Sequence, residues 1–223
     1  YHTPTIHFWA REGGVHWIDP GPSPHWGPVG EFAWNGYSKG IETVHFIFLR
    51  AVECGRLINT INLLFLPLGF LAIISLSLSL GARSGFALVS GCLFLYLPIN
   101  LAQSLTAMVD TASACSYLAF FALLIGTVKR AGKNGIPWHL LAGLGSALGL
   151  AAGSKIPGIF LIPAGGLVLL FRFGQASRNP LLSFSFKRGI IFICIVVLIG
   201  LLLGGYWLGR NWLITGNPLY PVE

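Results

Sequence analysis

Six apolar runs dominate the second part of the chain, at roughly 57–80, 86–106, 111–128, 138–153, 156–173 and 189–209. Each predicts a helix. The first holds 24 residues, about 36 Å at the helical rise, and a hydrocarbon core is about 30 Å thick. The fourth and fifth are short and separated only by Ser154 and Lys155, with Pro157 interrupting the pattern. They predict a helical hairpin rather than one long helix. Residues 37–55 carry apolar side chains at Ile41, Val44, Phe48 and Val52. That spacing of three and four predicts a short amphipathic helix lying in the membrane interface. Residues 1–36 differ from everything after them: five Pro, six Gly, four Trp and four His punctuate structure rather than propagate it, and they predict a structured loop. The expected organisation is a loop with its interfacial helix over 1–56, a helical membrane domain over 57–209 and the start of a further loop over 210–223.

Charge sets an orientation on this frame. With six spans, Arg83, Lys129, Arg130, Lys133, Arg172, Arg178, Lys187 and Arg188 all fall on one side. The opposite connections carry Lys155 and Arg210 against the single acid Asp110. The positive-inside rule makes the eight-charge side cytoplasmic. Residues 1–55, Asp110, Lys155 and the tail from Arg210 then share the outer face. The expected fold class is an all-α, polytopic membrane protein, multi-pass in the inner or plasma membrane.

Composition agrees. Hydrophobic residues make up 54% of the 223 and charged ones 9%, with mean hydropathy +0.74. A soluble domain carries about 25% charged residues. This excludes a soluble enzyme, a disordered chain and a nucleic-acid binder, so the net charge of +7 is loop charge. Cys54, Cys92, Cys115 and Cys194 form no CxxC and no disulfide framework. The chain opens at Tyr1 with no signal-peptide pattern and is expected to be a piece of a longer polytopic protein.

Few residues can carry chemistry. Asp110 is the only acid between Glu53 and Glu223, and it sits where one span ends and the next begins. An ionisable group there is expensive and points to function, while an Asp ahead of Thr-Ala-Ser also suits a helix cap. Lys155, in AAGSKIPG, would meet a phosphate as a compact point charge or snorkel to the interface. Arg210, in RNWLITGNPLYP, suits bidentate phosphate contact or complements a helix C-terminus. His2, His7, His16 and His25 show no HExxH and no pairing with Cys, so no metal site is expected. The run GLGSALGLAAG is superficially like a dinucleotide loop but lacks the strand and the acid. Gly145, Gly149 and Gly153, four apart, instead allow close helix approach.

Several stretches, in order, resemble a polytopic GT-C-fold glycosyltransferase related to protein O-mannosyltransferases and the aminoarabinose transferase of lipid A. They are Tyr1-His2-Thr3-Pro4 with Ile6-His7-Phe8-Trp9 and Glu12-Gly13, then Asn35-Gly36, Val109-Asp110, Gly149 through Pro157, and Arg210-Asn211 with Gly216-Asn217-Pro218-Leu219-Tyr220-Pro221. The chain departs from the family at Thr3, where Leu is usual, and at Tyr37, where Glu is usual. The resemblance implies a membrane enzyme that moves a sugar from a polyprenyl-phosphate carrier to an acceptor hydroxyl on the outer face. It implies a lipid, glycan or protein acceptor, and Tyr1, His2, Lys155, Arg210 and Asn211 as substrate-binding residues. Asp110 would support catalysis, orienting the first loop, the base or a divalent cation, the one cofactor left open. In such families the base is an Asp a few residues ahead of the Tyr-His pair, so the piece is expected to lack it and to be inactive alone. The alternatives are a transporter or flippase of a lipid-linked substrate and a membrane scaffold subunit.

Overall fold

A computed structural model describes residues 2–18, 35–130, 137–178 and 186–220. Regular structure among the described residues is entirely helical. The elements are α1 (His2–Glu12), α2 (Gly40–Val52), a 3₁₀ helix (Gly55–Leu64) leading into α3 (Leu66–Ser79), α4 (Ser84–Tyr96), α5 (Pro98–Ser104), α6 (Asp110–Arg130), α7 (Trp138–Ser154), a second 3₁₀ helix (Ile156–Phe160), α8 (Leu161–Arg178), α9 (Phe186–Gly204) and α10 (Tyr206–Thr215).

The opening stretch is not all loop. Pro4 stands in the first turn of α1, where its missing N–H costs nothing and its fixed φ suits a helix. Thr5, Ile6 and Trp9 bury one face of α1. Gly13, at φ +78°, ends the helix in the left-handed conformation that glycine adopts without strain. Helix α2 is present, yet it is turned differently from the expected interfacial helix. Its buried residues are Ile41, Glu42, His45 and Leu49, while Val52 of the predicted stripe is exposed. The helix packs against α1 and the first 3₁₀ helix, and its polar side chains find partners there instead of facing water.

The bundle is centred on α6 and α7. Helix α3 lies between α4 and α6, and α7 packs on α6 and α9. Phe120, Leu124, Leu144, Leu148, Phe192 and Val196 fill the space between these helices. The second 3₁₀ helix packs on α7, but α7 takes α9 and α6 as its main partners rather than α8. Glycines permit this closeness. A Cβ at Gly145 would stand 2.6 Å from Cβ of Ile199, and one at Gly149 would stand 2.8 Å from Cβ of Leu203.

Among the described residues, two helices, Leu57–Ser79 and Asp110–Lys129, are long and apolar enough to cross a membrane. Two further pairs are bent, α4 with α5 by 54° and α9 with α10 by 66°, and counting each as one span gives four. Pro98 accounts for the first bend, because it disfavours helical backbone at Leu97. The second corrects the expectation of one run over 189–209: the helix stops at Gly204, whose backbone lies against that of Gly149, and restarts at Tyr206. Helix α7, with 17 residues, and the apolar stretch Ile156–Leu169 are shorter than either of those two long helices. Large apolar side chains face outward, among them Leu71, Phe86, Leu93 and Leu202, each more than 60% exposed. Such a surface suits hydrocarbon rather than water. Among the described residues the fold is all-helical, with two to four helices able to span a membrane.

Candidate functional site

The site grows from the N-terminus of α6. Asn62, fully buried, donates through Nδ2 to the carbonyls of Gln103 (3.3 Å), Thr106 (2.8 Å) and Met108 (2.5 Å). One side chain thus pins the loop that delivers Asp110. The carboxylate occupies the first position of α6, where the helix dipole favours negative charge. Its Oδ2 accepts from Nε2 of Gln103 at 3.3 Å. The Gln103 amide is itself oriented by Thr111, whose hydroxyl donates to Oε1 at 3.3 Å. Ser113 on α6 donates to Oγ of Ser154 at 2.9 Å, drawing the end of α7 over the start of α6. The next residue, Lys155, then reaches Oδ1 of Asp110 and donates to it through Nζ. Both side chains of this ion pair are about two-fifths exposed.

Lys155 also lines a cavity of about 510 Å³ together with His2, Tyr37, Ser38, Ser154 and Leu219. The structure therefore brings His2 and Lys155 to one hollow, with Asp110 bound to the second of them. Ile156, Pro157 and Phe160 of the 3₁₀ turn form an apolar side of the same space. Tyr1 lies outside the described residues, as does His25.

Behind His2 lies a charged cluster that the sequence reading did not single out. Nδ1 of His2 is 2.6 Å from Oε1 of Glu42, and Nζ of Lys39 is 3.3 Å from the same oxygen. Lys39 is fully buried and Glu42 is 1% exposed. Burial alone pushes the Glu42 carboxyl up, but the His2 hydrogen bond and the charges of Lys39 and His2 outweigh it and hold the carboxyl below its ordinary range. Lys39 is lowered chiefly by burial and further by the Arg210 charge, against the raising effect of Glu42. His45, one turn further along α2, is lowered by burial; its Nδ1 donates to the Ile41 carbonyl at 2.8 Å. Lys39 and Glu42 stand three apart in a chain nearly empty of charge. That pairing is the signal that could have marked them.

Arg210 and Asn211 sit apart from the cavity and hold its neighbouring wall. The Arg210 guanidinium lies 4.5 Å from the Trp207 ring and 5.1 Å from the Trp17 ring, good cation–π distances. Its Nη2 donates to the Asn35 carbonyl and, at 2.7 Å, to Oδ1 of Asn211. Asn211 donates to the carbonyls of Gly36 (3.1 Å) and Tyr220 (3.0 Å). Both residues are buried. Asn35 in turn brackets Ile18, accepting from its N–H at 2.8 Å and donating to its carbonyl at 2.5 Å. This lattice fixes residues 35 and 36, immediately ahead of the cavity-lining Tyr37 and Ser38.

Among the described residues, no three His, Cys, Asp or Glu side chains gather to hold a metal. Asp110 is engaged by Lys155 and Gln103. At the far end of α6, Lys129 donates to the Ser79 carbonyl, so the basic end and the Asp110 end of that helix lie about 30 Å apart. Compared with family models, with curated proteins and with solved structures, the chain matches none.

Proposed function

We propose that the chain is the membrane-embedded part of a GT-C-type glycosyltransferase, which moves a sugar from a polyprenyl-phosphate carrier to an acceptor hydroxyl. The observation that carries this reading is the cavity of about 510 Å³ at the Asp110 end of an apolar bundle, walled by a histidine, a tyrosine and the cation Lys155. An activated sugar that diffuses laterally in the bilayer needs such an opening and needs no nucleotide motif. Lys155 would neutralise charge developing on the departing phosphate. Asp110 and Gln103 hold that ammonium in place. Arg210 and Asn211 serve by fixing the wall at residues 35 and 36, with Trp17 and Trp207 offering flat faces nearby. In this reading six segments cross the membrane, the eight-charge side is cytoplasmic, and the cavity opens on the extracytoplasmic face.

The test is transfer of radiolabelled sugar by membranes containing the full-length protein, given a panel of polyprenyl-phosphate hexoses and pentoses. Transfer is expected with at least one donor and is expected to fall more than tenfold in Lys155→Met at equal membrane level. Absence of transfer from every donor, with the protein folded and present, overturns the reading.

A further inference from the structure

Helix α10 has its polarity inverted for a helix at a water surface. Such a helix turns its apolar stripe inward and its polar residues outward. In α10 the single charge, Arg210, and the single amide, Asn211, are buried against protein with Trp207. Trp212, Leu213 and Ile214 are instead 65%, 86% and 53% exposed. The hydroxyl of Thr215 donates back to the Asn211 carbonyl at 2.8 Å and so has no need of water. We propose that α10 lies in the membrane interface, with Trp212, Leu213 and Ile214 inserted among the lipid headgroups and upper acyl carbons. The inference stands apart from the transferase reading.

Lengths and angles support this placement. Helix α9 holds 19 residues, about 28 Å at the helical rise, and so nearly covers a hydrocarbon core of about 30 Å by itself. Helix α10 holds 10 residues and turns from α9 by 66°. With α9 along the bilayer normal, that turn leaves α10 only about 6 Å of depth. The bend keeps its backbone satisfied: the N–H of Gly205 donates to the Leu201 carbonyl at 2.8 Å and that of Gly209 to the Gly205 carbonyl at 3.0 Å. At the other end Gly216, at φ +75°, stops the helix. The last carbonyls of a helix need partners outside it, which the headgroup layer offers and hydrocarbon does not. The surface also says which occupant it fits. Leu198, Leu201, Leu202 and Leu203 face outward at the end of α9, and this hydrocarbon-facing strip runs through exposed Tyr206 into Trp212 without an exposed charge. Tyr and Trp are the residues enriched at that depth. The inner face of α10 holds residues 35 and 36 through Arg210 and Asn211, so the lipid seat of α10 sets the height of the cavity wall at Tyr37 and Ser38.

Spin labelling of the full-length protein in phosphatidylcholine–phosphatidylglycerol vesicles tests the placement. Nitroxides are attached singly at Leu213→Cys and Leu198→Cys, both exposed positions, with every accessible cysteine replaced by Ser and the buried Cys115 kept. Power saturation compares collisions with oxygen and with a water-soluble nickel chelate. Both labels are expected to meet more oxygen than nickel, the Leu213→Cys label about 5–10 Å into the headgroup–acyl boundary and shallower than the Leu198→Cys label. A Leu213→Cys label that meets more nickel than oxygen marks a helix in water and overturns the proposal. One shielded from both reagents marks a covering protein segment, and one as deep as the Leu198→Cys label marks a continued span; each overturns it too. A second measurement keeps the native cysteines. The fluorescence difference between wild type and Trp212→Phe is expected to be quenched more by lipids brominated near the headgroup than by lipids brominated near the methyl end. No quenching of that difference by either lipid overturns the proposal.

Discussion

Lys155 and Asp110, 45 residues apart in sequence, meet as an ion pair at the edge of the cavity. Helix α7 ends where α6 begins, and the Ser113–Ser154 hydrogen bond fixes that crossing. The pair is about two-fifths exposed on both sides, so its stabilising effect is small even though its position is well defined.

Removal of either partner should therefore cost little stability. Asp110→Asn and Lys155→Met are each expected to lower stability by about 1 kcal/mol or less, the range for exposed pairs. A double-mutant cycle by thermal unfolding in detergent checks this, with a coupling of about 0.2–1 kcal/mol expected. Transfer should fall more than tenfold in both variants; unchanged transfer in Asp110→Asn removes Asp110 from the site.

The buried cluster behaves oppositely. Glu42→Leu leaves Lys39 and His2 without their shared carboxylate, and breaking one partner of a buried pair costs about 3–5 kcal/mol. Replacement of both Lys39 and Glu42 by apolar residues of similar size is expected to recover most of that loss. Denaturation midpoints of the single and double variants measure it, and equal midpoints would show that the cluster is not coupled.

Acid sensitivity follows from two groups. His45 lies below its ordinary 6.5 and Glu42 below its ordinary 4.5. A group depressed on folding adds stability above its unfolded pKa, and that stability is lost as pH falls through the folded value. The melting temperature should thus hold above about pH 6.5 and fall on acidification. His45→Leu is expected to flatten the slope between about 6.5 and 4.5, with the steeper fall below about 4.5 left to Glu42. Melting curves across that range, for both proteins, test the assignment.

Glycine positions divide sharply. A Cβ at Gly40 would stand 2.6 Å from the Gly153 carbonyl oxygen, backbone that cannot give way. Gly40→Ala is expected to cost about 1–3 kcal/mol, as overpacking does. Gly126 in α6 has nothing within 4 Å of such a Cβ, and Gly126→Ala should stabilise by about 0.5–1 kcal/mol. Urea midpoints compare the two; a neutral Gly40→Ala would mean that α2 does not press on α7.

The apolar runs were legible because helices buried against one another or facing hydrocarbon need no polar pattern. Their breaks were partly legible: Pro98 signals one, whereas the turn after Gly204 depends on Gly149 from a distant helix. Helix α1 was hidden by a loop-like composition whose one proline in the helix sits where helices tolerate it. Asp110 and Lys155 stood out by isolation in apolar sequence. Lys39 and Glu42 did not stand out, since only the arrival of α1 with His2 and of α10 with Arg210 encloses them. The role of Arg210 was equally invisible, because its partners Trp17 and Asn35 lie about 175 or more positions earlier.

That long-range clamp has a temporal consequence. Most walls of the hollow belong to the first 160 residues, yet Leu219 completes it and the Arg210–Asn211 pair secures the strip carrying Tyr37 and Ser38. During synthesis the earlier helices can enter the bilayer and associate while the chamber is still open. Only when the ribosome has delivered α10 and the turn after it does the opening segment become locked, so the hollow closes after the earlier helices have packed rather than along with them.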